Sequence, residues 1–133
     1  MKKLNVYIGY DSKEDIAYRV CKYSLLKRSS IDVKVNSLKL YELVTRKLYS
    51  RDIDPLASTE FTYSRFLVPA LSHYKGWSIF CDCDFIFLDD IAKILDNLDS
   101  SKAVYCVKHD YTPKEKHKMD GQKQTIYPRK NWS

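Results

Sequence analysis

Trp77-Ser78-Ile79-Phe80-Cys81-Asp82-Cys83-Asp84-Phe85-Ile86-Phe87-Leu88 is the stretch on which the fold turns. Its first five residues form a run of strand formers that begins after Gly76. Two aspartates then interrupt the apolar sequence. In an extended chain residues two apart share a side. Asp82 and Asp84 are therefore expected to present two carboxylates together, while Cys81, Cys83 and Phe85 turn the other way into packing. Two acids so close repel each other unless a cation or a proton relieves them. Mg²⁺ and Mn²⁺ take oxygen ligands and share them with substrate phosphates. The carboxyl ends of strands are also where open α/β sheets bind ligands. An ordinary acidic turn would carry aspartates too, but the core-forming residues on both sides favour the metal site.

Working toward the amino terminus, Leu4-Asn5-Val6-Tyr7-Ile8-Gly9 reads as a first strand ending at Gly9. Asp11 is placed to cap a helix, and Glu14 completes the spacing of a capping box. Ile16, Ala17, Val20, Cys21 and Leu25 form the apolar stripe of that helix, which ends before Ser29-Ser30. A second alternating segment runs from Ile31 to Leu40, centred on Val33 and Val35. Residues 41–60 read as an exposed connection with one helical turn, broken at Pro55. Phe61 to Tyr74 reads as a helix with Phe66, Leu67, Ala70 and Leu71 toward the core, kinked or restarted at Pro69.

Toward the carboxyl terminus, Asp89-Asp90 supplies a cap and first-turn charge for a short helix through Leu98. Ala103-Val104-Tyr105-Cys106-Val107 reads as a further strand. Strands alternating with helices indicate an α/β domain with a mainly parallel sheet flanked by helices. No repeat or linker divides residues 1–133, so a single domain is expected.

The 133 residues are 44% hydrophobic and 30% charged, which suits a globular chain with a core rather than a disordered one. No run approaches the ~20 apolar residues that span a bilayer, and no signal-peptide apolar region follows Met1-Lys2-Lys3-Leu4. A cytoplasmic setting is expected, with room for peripheral contact at an acidic membrane surface. Cys21, Cys81, Cys83 and Cys106 lack the paired spacing of a zinc site and read mainly as small core residues. The net charge of +6 favours anionic partners. Its excess gathers from Lys108 to Lys130, as a solvated tail or as a loop that meets a diphosphate or an acidic acceptor. No basic helix or aromatic RNA-binding signature accompanies it, so nucleic acid is not the expected partner.

Three segments in order carry a resemblance: Tyr7-Ile8-Gly9-Tyr10-Asp11, Tyr63-Ser64-Arg65-Phe66, and Trp77 to Phe87 around the aspartates. Together the chain resembles GT-A glycosyltransferases of the family-8-like group over most of residues 4–107. The resemblance implies a nucleotide-diphospho-sugar transferase domain with a UDP-sugar donor, Mn²⁺ or Mg²⁺, and a glycan or small-molecule acceptor. It implies that Asp84 binds the metal and that Asp82 binds the metal or the donor's ribose. Gly9, Tyr10 and Asp11 would sit at the uridine, with Tyr10 stacking on the base or merely closing the turn. Arg65 would approach the donor's phosphate or sugar, or pair with Asp82 or Asp84. Retention at the anomeric carbon is also implied. The relatives so implied are longer and draw a histidine ligand from a later segment, whereas His109 and His117 are the nearby histidines here. The chain therefore reads as the amino-terminal part of a longer fold, either still transferring or reduced to binding the nucleotide sugar and metal. Apolar surface left uncovered would favour a homo-oligomer.

Overall fold

The computed structural model describes residues 3–108, 112–117, 121 and 123. They belong to two compact units, Met1–Asp96 and Asn97–Ser133. The first is a small α/β unit built on three parallel strands. Strand β1 (Leu4–Gly9) lies in the centre, with β2 (Val33–Leu38) on one side and β3 (Ser78–Cys81) on the other. The register aligns Val6 with Val35 and Ile8 with Ser37 across one pairing, and Tyr7 with Phe80 and Ile8 with Cys81 across the other.

β1 is buried along nearly its whole length, as a central parallel strand covered on both faces must be. Leu4, Val6 and Ile8 pack with Cys21 and Leu25 of helix α1 (Asp15–Arg28). Tyr7 joins a second cluster with Leu38, Leu43 of helix α2 (Leu40–Thr45) and Val68 of helix α3 (Val68–Leu71). Ile16 and Val20, expected on the inner stripe of α1, are exposed. The inward face instead runs through Tyr18, Cys21 and Leu25, at steps of three and four residues.

The helix expected over 61–74 is replaced by a 3₁₀ turn, Ser64–Leu67, followed by α3. Pro69 stands in the first turn of α3, where its missing N–H costs no hydrogen bond. Positive φ angles at His73 and Tyr74 end the segment. The buried side runs through Phe61, Ser64 and Val68, with Leu67 and Leu71 partly buried against the second cluster as expected, while Phe66 is 76% exposed and Ala70 is exposed as well. The helix expected through Leu98 spans only Ala92–Leu95 (α4). Its cap position is Ile91 rather than an aspartate, and Asp90, one residue earlier, accepts from the Ala92 N–H at 3.0 Å.

In the second unit, residues 103–107 form no strand and are mostly exposed. High strand propensity is not enough without a neighbouring strand to pair with. His117 and Lys123 form an isolated antiparallel bridge there. His109 and most of the basic run ending at Lys130 lie outside the described residues. No helix among the described residues is long and apolar enough to cross a membrane.

Candidate functional site

The strand order β2-β1-β3 sends the chain from β1 to one side and later to the other, which makes the carboxyl ends of β1 and β3 a topological switch point. Carried one step past the last pair, Ile8 with Cys81, the register brings Gly9 and Asp82 to this edge. Arg65 joins them. Its Nη1 lies 3.4 Å from Asp82 Oδ1. Its Nε donates to the carbonyl of Phe61 at 3.4 Å. The guanidinium lies over the rings of Phe61 and Phe80, 5.3 and 5.2 Å from their centroids. Phe61 in turn rests on Gly9 so closely that a Cβ there would stand 2.6 Å from the ring. Gly9 is therefore a contact surface for an aromatic ring.

Asp82-Cys83-Asp84 departs from the alternation expected of it. β3 stops at Cys81, and Cys83 and Asp84 lie in a turn. Asp82 is partly covered and paired with Arg65, while Asp84 is exposed. Cys81 and Cys83 are buried, but Phe85 is 49% exposed, and Ile86 and Leu88 are exposed as well. Cys83 donates its thiol to Glu14 Oε2 at 3.0 Å. Burial and that hydrogen bond push the Cys83 thiol up to about 12. The Cys21 and Cys81 sulfurs lie 4.0 Å apart. Contact with Cys21 and burial hold the Cys81 thiol well above its usual range.

Asp11 is buried, with both carboxylate oxygens taken. Oδ1 accepts from the Lys13 N–H at 3.0 Å and Oδ2 from the Glu60 N–H at 3.2 Å. The Glu60 carboxylate accepts from the backbone N–H of Ser12 and, at 3.1 Å, from its hydroxyl. Asp11 is thus a clamp between the turn after β1 and the segment before Phe61. Tyr10 turns toward the β2 side. Its hydroxyl donates to Asp15 at 2.8 Å, a bond that pushes the phenol up, and Tyr18 meets its ring edge-on at 5.3 Å. Lys39 Nζ stands 5.0 Å over the Tyr10 ring.

A cavity of about 200 Å³ opens beside Asp11, lined among others by Leu40, Tyr49, Ile53, Tyr63 and Glu60. Tyr63 donates to Asp54 at 2.7 Å and lies under the Arg51 guanidinium, 4.1 Å away. None of these wall residues was singled out from the sequence as a site residue. The one available signal was the density of tyrosines and paired charges between 49 and 63.

Among the described residues, no three His, Cys, Asp or Glu side chains gather closely enough to hold a metal ion. At this turn the carboxylates are Asp82, which is paired with Arg65, and Asp84, which is exposed. His117 belongs to the second unit.

Compared with known proteins, the chain is 52% identical over 132 residues to the Arabidopsis thaliana protein named Protein CDI. The match covers 99% of this chain and 51% of that protein, so the chain spans about half the length of the curated relative it matches. No protein-family model matches the chain, and no solved structure matches it. These outcomes correct the family resemblance drawn from the sequence. The three short segments that carried it do not extend to a family match: across its length the chain matches Protein CDI and no glycosyltransferase family.

Proposed function

We propose that the chain binds a UDP-sugar at the carboxyl edge of its sheet and serves glycosyl transfer to a glycan or small-molecule acceptor. One observation carries the reading: the Arg65–Asp82 pair, with the Arg65 guanidinium over Phe61 and Phe80, at the switch point between β1 and β3. Breaking the bond from an anomeric carbon to a diphosphate leaves negative charge on the departing group. Arg65 is held by the Phe61 carbonyl, by Asp82 and by contact with two neighbouring rings, so its charge is oriented before any ligand arrives. Asp82 and Asp84 would hold Mn²⁺ or Mg²⁺. When bound, such an ion supplies further neutralisation of the departing diphosphate.

The cavity beside Asp11 supports the nucleotide end of the same reading. Tyr49, Tyr63, Leu40 and Ile53 offer aromatic and apolar walls for a base. At about 200 Å³ the space is small for a ligand site and would take only part of a nucleotide. Asp11 contributes by fixing that wall, because its own oxygens are already engaged.

The test is calorimetric titration of UDP into the protein with Mn²⁺ and with chelator. One-site binding that disappears with chelator and in Asp84→Asn is the expected result. Absence of binding by UDP and by a panel of UDP-sugars, with or without Mn²⁺, overturns the reading. Hydrolysis or transfer from the same panel separates turnover from binding alone.

A further inference from the structure

We propose that Glu14 is a positioning residue, which sets the turn bearing Asp82 and Asp84 by accepting the Cys83 thiol. Glu14 closes the 3₁₀ turn Ser12–Glu14 just after β1, and Cys83 lies 69 residues further along the chain. The spacing from Asp11 to Glu14 suits a capping box, in which the glutamate reaches back to the cap's own N–H. Here the Asp11 side chain takes the Lys13 N–H, and the Glu14 carboxylate goes to the thiol.

A thiol is a weak donor. It competes poorly with water for a carboxylate, so a thiol–carboxylate bond of 3.0 Å has most value where the thiol is shielded. Cys83 is 1% exposed and packs in the cluster of Ile8, Cys21 and Phe61. With its side chain held at both the core and Glu14, the middle residue of the Asp82-Cys83-Asp84 turn is fixed, and the backbone on either side is fixed with it.

Glu14 also completes a frame. Asp11 and Glu60 tie the turn after β1 to the segment before Phe61. Arg65 ties that segment's continuation to Asp82. The Glu14–Cys83 bond closes the third side. Three segments far apart in sequence thus hold one another at the carboxyl edge, and an acidic side chain that binds no ligand has a place in the site.

The inference rests on the donor-site reading for its binding readout, and on hydrogen exchange independently of it. In the full chain, Glu14→Ala and Cys83→Ala should each speed amide exchange over residues 82–85. Each should also weaken Mn²⁺-dependent UDP binding by about tenfold, the equivalent of one charge-assisted hydrogen bond. Glu14→Gln keeps an acceptor and Cys83→Ser keeps a donor, so both should restore slow exchange and binding, which a merely space-filling role would not produce. Unchanged exchange over 82–85 in Glu14→Ala and Cys83→Ala overturns the proposal. So does failure of both conservative variants to rescue. If the unaltered protein binds no UDP, the donor reading fails and the exchange result alone decides the role of Glu14.

Discussion

Asp11 and Glu60, 49 residues apart, hold each other's segments: Asp11 accepts from the Glu60 backbone N–H, and Glu60 accepts from the backbone N–H and hydroxyl of Ser12. Each acid caps backbone donors that would otherwise be left without partners at the end of β1. Asp11→Ala should therefore remove two accepted bonds in a buried position and destabilise the protein by about 1–3 kcal/mol. Asp11→Asn keeps one acceptor oxygen and should lose less. Urea denaturation of the two variants gives the comparison, and equal losses would count against the clamp.

Gly9 and Phe61 make a steric prediction. A methyl group at position 9 would stand 2.6 Å from ring carbons of a side chain that is 1% exposed. The ring cannot retreat without disturbing the core, so Gly9→Ala should cost about 1–3 kcal/mol as an overpacking change. Adding Phe61→Leu should recover part of that loss, although Phe61→Leu alone is destabilising. A double-mutant cycle on denaturation midpoints reads this coupling, and simple additivity would show that the contact is not what excludes a side chain at position 9.

The three strands could be read from the sequence because strands of a covered parallel sheet leave near-continuous apolar runs, as in Val6-Tyr7-Ile8 and Ile79-Phe80-Cys81. The cap at Asp11 was equally legible, since its first partner is two residues away. What could not be read were partners distant in the chain. Nothing local to Asp11 announces Glu60, and nothing local to Glu14 announces Cys83. Over residues 61–71 the 3.6-residue period places Leu67 and Leu71 correctly against the core but not Phe66 or Ala70, because a 3₁₀ turn precedes α3. The expected packing of Phe85 fails for a related reason, because the strand ends at Cys81 and the chain turns at Cys83 and Asp84. The pairing of Arg65 with Asp82 is among the expected roles of Arg65, but its place beside Phe61 and Phe80 emerges only when β3 meets the 3₁₀ turn.

Arg65 separates charge from shape. Lysine at this position retains the positive charge but not the planar group that lies over two rings while reaching Asp82. In UDP titrations with Mn²⁺, Arg65→Lys should lose about tenfold or more in affinity and fall close to Arg65→Ala. The pair is partly open to solvent, so raising salt should weaken binding in the unaltered protein. Lysine binding as tightly as arginine would reduce the role of Arg65 to charge alone.

Cys83 gives a pH dependence with a definite sign. Its thiol is raised from an ordinary 9.0 to about 12, first by burial and then by its hydrogen bond to Glu14. The native state therefore keeps its proton more tightly than the unfolded chain does. The stability this contributes is fully present below pH 9.0 and declines as pH rises toward about 12. Between those values the unfolded chain gives up the proton while the folded protein retains it. Denaturation midpoints measured from pH 8 to 11 should fall with rising pH, by an amount that shrinks in Cys83→Ser, where position 83 carries no thiol. Phenol titration contributes to both proteins alike, so the difference between their slopes isolates Cys83. Identical slopes would mean that Cys83 is not held as a protonated donor.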